Sequence, residues 1–269
     1  MSGLKCCAGR KARSYGRNTT GGAINVITQR PTAAFEGFGF VQGGNFDSLK
    51  VQSALNLPLG PALRQRFAGY WFDRDGYTKN LATGKRIDDR HQYGLRSTTQ
   101  ADLPGEVTGT LTLQYFNEDS HRARETKRLC KAIPVLGCSP NELGFDSPNT
   151  SAVIMQTLFK TPFFAGVFPP GGDIYAGGPN PQNLREVAAD YDPQTRATNF
   201  IGTIELSRKF GTLEFTSLTS YSEAKSSAST DWDNADLPFR FLKPITYQLG
   251  PNNLVNTDRL WLIRLIVDA

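Results

Sequence analysis

The residues best suited to metal or hydrolytic chemistry are two histidines and three short acidic runs. His91 and His121 are the only histidines, and neither has a partner at the spacing of a metal site. The acidic runs lie at 73–75, 88–89 and 231–236, without the glycine and terminal glutamate of an EF-hand. The sequence also lacks a Gly-x-Ser-x-Gly nucleophile motif. We therefore expect no enzyme activity, no catalytic residue, no metal site and no cofactor.

The cysteines suggest one disulfide. Cys130 and Cys138 lie in the polar stretch "RLCKAIPVLGCSP", and a bridge between them would close a nine-residue loop. Closing such a loop contributes roughly 2.6 kcal/mol on the chain-entropy model and implies an oxidising compartment. Two unrelated thiols are the alternative. Cys6 and Cys7 are adjacent in an N-terminal stretch without the apolar core of a secretory signal.

Residues 120–195 form a long connection that is a candidate ligand-facing loop, because long loops on rigid scaffolds often carry binding. The arginines within 121–128 could contact an anionic chelate, lipopolysaccharide phosphates or no ligand at all. The aromatic side chains could contact an apolar ligand or form the loop's own core. They are Phe159, Phe163, Phe164, Phe168 and Tyr175. No ligand-binding residue is assigned from the sequence.

The net charge of +5 comes from one end of the chain. Residues 1–30 contain six Lys and Arg and no acid, whereas the remainder has 24 basic against 25 acidic residues. A nucleic-acid-binding protein distributes its basic residues over a face of the fold, so we expect no nucleic-acid partner. No apolar run reaches the ~18 residues of a membrane helix, but membrane strands show lipid only on alternate residues.

From residue 35 onward the sequence alternates between apolar and polar residues in segments separated by turns. "LKVQSALNL" (49–57) is the clearest, with Leu49, Val51, Leu55 and Leu57 on one face. Strands are also predicted at 35–43, 64–74, 93–103, 110–115, 199–207, 212–225 and 257–267. These eight strands follow a short one at 23–29. We therefore predict an all-β, antiparallel up-and-down meander.

The connections between these strands alternate in length after the first. Those at 58–62, 104–106 and 209–211 are short, whereas those at 75–90, 120–195 and 226–256 are long. In a meander, successive turns lie at opposite ends of the sheet. All later short turns therefore lie at one end, as in outer-membrane barrels.

The stretch "YGRNTTGGAINVITQRP" (15–31) closely resembles the end of the plug domain of TonB-dependent outer-membrane receptors. The following "FEGFGFVQGGNFDSLKVQSALNLPL" resembles the first barrel hairpin of that family, and a looser resemblance extends to about residue 259. The plug motif is carried by Gly16, Arg17, Asn18, Gly21, Gly22, Ala23, Ile24 and Asn25. The two adjacent glycines allow a tight turn close to other backbone, and Pro31 ends the strand.

The resemblance implies part of a transmembrane β-barrel in the outer membrane of a Gram-negative bacterium. It implies uptake of a scarce ligand such as a ferric siderophore. The implied partners are outer-membrane lipid, the small-molecule ligand and a TonB-type energy-coupling protein.

The expected organisation has three parts: an unmatched head (1–14), the end of the plug (15–31) and the N-terminal portion of the barrel (32–269). The TonB box and most of the plug have no counterpart here, and the final stretch "LWLIRLIVDA" loses polar alternation. We therefore interpret the sequence as an internal receptor fragment. The alternative is a self-contained binding protein, either a small closed eight-stranded barrel or a soluble β-sandwich.

Overall fold

The computed structural model of the chain is all-β. It describes residues 3–7, 23–122, 131–133, 137–139, 141–142, 144–145, 181–189, 191–211, 213–230, 245–249 and 256–267. The strands are β1 (Gly3–Cys7), β2 (Ala23–Ile27), β3 (Glu36–Gly44), β4 (Ser48–Pro58), β5 (Leu63–Arg74), β6 (Thr78–Asn80), β7 (Arg86–Ile87), β8 (Arg90–Leu103), β9 (Val107–Ser120), β10 (Ala132–Ile133), β11 (Gly137–Cys138), β12 (Glu186–Val187), β13 (Gln194–Phe210), β14 (Leu213–Thr230), β15 (Ile245–Leu249) and β16 (Asn256–Val267). The described part of the chain has no helix that could span a membrane.

One large antiparallel sheet dominates the structure. Its strands follow the order β3-β4-β5-β8-β9-β13-β14, and both β15 and β16 pair with β14. β16 pairs along Leu213–Ala224 and β15 along Ser226–Thr230, so the two occupy a single eighth position. The predicted meander of eight strands is therefore confirmed.

The strands are longer than the sequence pattern indicates. The segment predicted at 110–115 is the fourteen-residue β9 (Val107–Ser120). Its ends alternate poorly, but β8 and β13 on either side supply backbone partners along most of its length. Contacts with neighbouring strands thus extend the strand beyond its own pattern.

Two further strand groups lie outside the predicted meander. The connection at 75–90 contains β6 and β7, which form a three-stranded sheet with β12. In the N-terminal head, which has no recognisable strand pattern, β1 pairs with β2. Neither pairing could be read from a short segment alone, because each depends on a partner distant in sequence.

The large sheet has an apolar face and a polar face. Leu55, Phe67 and Leu95 lie on the apolar face, and their neighbours Ala54, Ala68 and Arg96 lie on the polar face. Both sets follow from the period of two in a strand, together with the register of the pairs. The predicted alternation in β4, β8, β9 and β13 is confirmed.

The short turns descend in regular steps across the sheet. One hydrogen-bonded row, the reference row, joins Arg66, Thr98, Thr112, Thr203 and Ser220. The paired residues that lie next to the short turns are Leu63, Leu103 and Phe210. They lie three, five and seven residues from the reference row. A shift of one residue per strand corresponds to a strand tilt of about 35°, within the range of β-barrels.

The sheet is open. In the described residues, β3 at one edge is not paired with β15 or β16 at the other. The other described sheets have two or three strands. The structure therefore matches an arc of a larger barrel, and it gives no support to the closed eight-stranded barrel or the two-sheet sandwich.

Candidate functional site

The apolar face is covered with large side chains that no described part of the chain buries. Leu95 and Ile204 are 59% and 51% exposed, and Phe67 and Trp71 are also exposed. Sheets in water-soluble proteins usually pack their apolar face against a core. Here the apolar face points away from the protein, which is typical of a surface that contacts another apolar phase.

A row of aromatic rings crosses this face parallel to the short turns. Trp71 and Tyr93 lie five residues from the reference row toward the long connections, Tyr115 and Phe200 lie three, and Tyr221 lies one. The aromatic row therefore shifts by about one residue per strand, as the turns do. Tyr93 and Tyr115 have ring centroids 6.0 Å apart, and Phe200 and Tyr221 are 6.4 Å apart.

The band between the aromatic row and the turns has the height of a bilayer core. Between eight and ten residues separate the two rows along each strand, and their mean of just under nine residues at a tilt of about 35° gives roughly 23 Å. Outer-membrane barrels carry an apolar band of about 25 Å bordered by aromatic residues. The sequence analysis missed this aromatic row, because it becomes visible only when the register of five strands is known.

The polar face carries paired charges and amides. Arg64 forms an ion pair with Asp102, and Arg30 contacts Glu205 at 2.7 Å. Arg122 contacts the buried Glu118 at 2.9 Å. These three arginines are therefore each neutralised by a neighbouring carboxylate.

The segment after the sequence motif is held against the polar face. Asn56 is fully buried, and its amide oxygen accepts a hydrogen bond from the Thr32 backbone at 2.9 Å. Its amide nitrogen donates to the Thr32 carbonyl at 2.9 Å. Arg66 also donates to Gln29 at 3.2 Å. The chain thus crosses the polar face before it enters β3.

The two histidines meet at one aspartate, near the end of the sheet that carries the long connections. The Nδ1 atom of His121 lies 2.7 Å from Oδ2 of Asp89. The His91 ring lies between Asp89 at 3.6 Å and Asp73 at 2.9 Å. No group of described His, Cys, Asp and Glu side chains has the geometry to hold a metal ion.

A compact group of loop residues, the loop knot, joins β6 and β7 to the segment 181–192. Asn80 is fully buried and donates to the Ala189 carbonyl at 2.8 Å and to Asp192 at 3.0 Å. Asp192 also accepts from Thr83 at 2.7 Å and pairs with Lys85 at 3.3 Å. Burial by itself raises the pKa of Asp192, but these hydrogen bonds and the lysine charge outweigh it and lower the pKa below its ordinary value.

The residues of the predicted plug motif and disulfide are only partly described. Gly16, Arg17, Asn18, Gly21 and Gly22 lie outside the described residues, as do Cys130 and all five aromatic residues of the candidate ligand loop. Ala23, Ile24 and Asn25 form β2, paired with Cys7, Cys6 and Lys5. Cys138 belongs to β11, which pairs with β10. The disulfide and the motif's role therefore remain predictions.

Comparison with known proteins identifies the fold. No protein-family model matches the sequence, and no curated protein matches it. Among solved structures, the ferric yersiniabactin uptake receptor FyuA from Yersinia pestis is similar over 81% of this chain, with a TM-score of 0.53 and 14% identity. The siderophore receptor PiuA from Acinetobacter baumannii is similar over 84%, with the same TM-score and identity. The chain has the fold of part of a siderophore receptor.

The receptor fold agrees with the family resemblance carried by the sequence motif. FyuA and PiuA are both described as receptors. The chain spans 27% of the length of FyuA and 26% of PiuA. At 14% identity the likeness concerns the fold, so the ligand of this chain has to be argued from its own residues.

Proposed function

We propose that this chain is part of a TonB-dependent receptor in the bacterial outer membrane that imports a ferric siderophore or a similarly scarce ligand. The observation that carries the proposal is the aromatic row running parallel to the short turns across an exposed apolar band of roughly 23 Å. The descriptions of FyuA as a ferric yersiniabactin uptake receptor and of PiuA as a siderophore receptor support the ligand class.

On this proposal the apolar face contacts lipid and the polar face lines the barrel interior. The short turns after β4, β8 and β13 face the periplasm, and the long connections, including the loop knot, face the outside. Closure of the barrel by further strands would satisfy the backbone groups at both edges, because lipid offers them no hydrogen-bond partner.

The domain assignment is part of the proposal. Residues 15–31 would be the end of the plug, and 32–269 would be the N-terminal portion of the barrel, with residues 1–14 as a separate head. The contacts of Gln29, Arg30 and Thr32 with the polar face support a passage from the barrel interior into the wall. A TonB-type protein would supply energy to the receptor as a whole.

The orientation of Trp71 offers a direct test. The chain has three tryptophans, so the variant Trp232→Phe/Trp261→Phe leaves Trp71 as the sole emitter. After reconstitution in vesicles, lipids brominated on their acyl chains should quench its fluorescence strongly. The matched control adds Trp71→Phe and Tyr70→Trp, which moves the indole to the polar face and should reduce quenching.

Equal quenching of the two single-tryptophan proteins would contradict the membrane assignment. A second contradiction would be a monodisperse monomer in buffer without detergent. The exposed apolar face and the unpaired strand edges instead predict that the isolated chain requires detergent or lipid.

A further inference from the structure

The apolar face contains an open hollow around Gly39 and Ser53, which pair with each other across β3 and β4. A Cβ added at Gly39 would contact nothing within 4 Å. The hollow lies on the same face as Leu55 and has a volume of about 870 Å³. Strands added beside β3 would extend the sheet sideways, and a plug would lie on the polar face. On the proposed receptor function, the neighbour of this hollow is therefore lipid or another membrane protein.

Two glycines in the other half of the apolar face are covered by side chains of neighbouring strands. A Cβ at Gly202 would lie 3.6 Å from Leu113, and a Cβ at Gly109 would lie 3.5 Å from Leu206. Leucines from adjacent strands thus fill the space above these two glycines, whereas the space above Gly39 is open. The hollow is therefore a local feature of β3 and β4 rather than a general property of the apolar face.

Three polar side chains, the polar triad of Gln65, Ser97 and Thr99, lie beside the hollow near the middle of the apolar band. The amide nitrogen of Gln65 donates to the Ser97 hydroxyl at 2.8 Å, and its amide oxygen accepts from Thr99 at 2.5 Å. Among the described residues, the second N–H of this amide and the hydroxyl proton of Ser97 have no acceptor. Hydrocarbon offers none either, so the polar triad favours a protein neighbour over an acyl chain.

The ring of Phe67 projects from the same face at the depth of the hollow. Phe67 is 48% exposed and lies on β5, two strands from β3. Along the hydrogen-bonded rows it lies two residues nearer to the short turns than Gly39 does. The shift of one residue per strand raises β5 by the same two residues relative to β3. Phe67 and Gly39 therefore lie at equal depth in the apolar band.

Equal depth of a projecting ring and a hollow makes this surface complementary to a second copy of itself. Two copies in one membrane have the same orientation, so a two-fold axis along the membrane normal brings together residues of equal depth. Because β4 lies midway between β3 and β5, an axis beside Ser53 would place Phe67 of each copy against Gly39 of the other. Small residues allow close approach of two backbones in lipid, where apolar area alone does not drive association.

We propose that two copies of the receptor associate in the membrane through this surface, with Phe67 of each copy in the hollow of the other. The inference rests on the proposed receptor function, because it requires the apolar face to lie in the bilayer. The other half of the apolar face, which includes Ile204, contacts lipid in the dimer as it does in a single copy.

Disulfide cross-linking of the full chain in vesicles tests this interface. In a background whose four native cysteines are replaced by serine, Ser53→Cys introduces a thiol beside the proposed axis. Ser217→Cys is the matched control, because it introduces a thiol on the same face at nearly the same depth in β14. Oxidation should join Ser53→Cys copies into a dimer and should give about fivefold less dimer with Ser217→Cys.

Two further substitutions in the Ser53→Cys protein remove the fit from opposite sides. Phe67→Ala removes the projecting ring, and Gly39→Leu fills the hollow, where the open space accommodates the new side chain in a single copy. Each should reduce the cross-linked fraction about fivefold. Ile204→Ala removes a side chain of similar exposure from the other half of the face and should leave the cross-linked fraction unchanged.

Equal cross-linking of Ser53→Cys and Ser217→Cys would overturn the dimer, because random collision or edge-to-edge association of strands would produce that result. Unchanged cross-linking in both Phe67→Ala and Gly39→Leu would also overturn it. Quenching of Trp71 by brominated lipids reports membrane insertion separately. Strong quenching with equal cross-linking would reject the dimer alone, whereas weak quenching would reject the receptor assignment and this interface with it.

Discussion

The large sheet and the loop knot are built on opposite principles. The loop knot buries Ile87, Val187, Ala188 and Ala189 almost completely, whereas Leu95 and Ile204 on the sheet are more than half exposed. The loop knot resembles a small water-soluble core with satisfied polar groups. The difference teaches that one chain is adapted to two solvents, with apolar side chains turned inward where water surrounds the protein and outward where we propose lipid.

The strongest test of this difference places a charge on the apolar face of the sheet. Leu206 lies near the middle of the apolar band. Leu206→Arg should destabilise the vesicle-inserted chain by about 2–4 kcal/mol, because the cation would contact hydrocarbon. Ser207→Arg, one residue away on the polar face, should cost much less. Denaturant unfolding from vesicles measures the loss of stability in both variants. Equal losses would contradict the proposal that the two faces of the sheet contact different solvents.

A backbone clash tests the rigidity of the loop knot. A Cβ on Gly76 would lie 2.4 Å from the Ile87 carbonyl oxygen and 2.7 Å from its nitrogen. Gly76→Ala should therefore cost about 3 kcal/mol in the free energy of local opening. Hydrogen exchange of amides in β6 and β7 measures this loss. At Gly39, where a Cβ would contact nothing within 4 Å, alanine should have little effect.

Removing the buried amide should loosen the loop knot less severely. Asn80→Ala leaves the Ala189 carbonyl and amide without their side-chain partner, which should cost about 2 kcal/mol. Faster proteolysis within 181–192 would report the opening, while the exposed Asn45→Ala should leave the cleavage rate unchanged. Unaltered proteolysis in Asn80→Ala would show that this amide does not hold the two segments together.

Acid should also open the loop knot, but with a smaller loss of stability. The pKa of Asp192 is lower in the folded protein than its ordinary value. At pH values above the ordinary carboxyl pKa, the ion pair and hydrogen bonds of Asp192 therefore stabilise the loop knot. This stabilisation is lost as the pH falls through the lower pKa that Asp192 has in the folded protein. Proteolysis within 181–192 should accelerate below about pH 4, and Asp192→Asn should weaken this pH dependence. The same acid response in both proteins would exclude Asp192 as the source.

The sequence was sufficient for the sheet but not for the sites. Alternation such as that of residues 49–57 indicates on which face of the sheet each side chain lies. The lengths of the connections indicate at which end of the sheet each connection lies. The loop knot was missed because Asn80 finds its partners at Ala189 and Asp192, more than one hundred positions away. The contact of His121 with Asp89 was missed because the two lie 32 residues apart, and only the pairing of β8 with β9 brings them together.

The stepwise descent of the turns determines the shape of the opposite rim. The strand ends beside the long connections are nearly level along the hydrogen-bonded rows, and strand length grows from 9 residues in β3 to 18 in β14. If the turns lie in one plane, each strand top stands about 2.7 Å higher than the one before. The described strand ends on this side therefore climb roughly 16 Å from β3 to β14, so on the proposed receptor function the barrel wall is lowest beside β3.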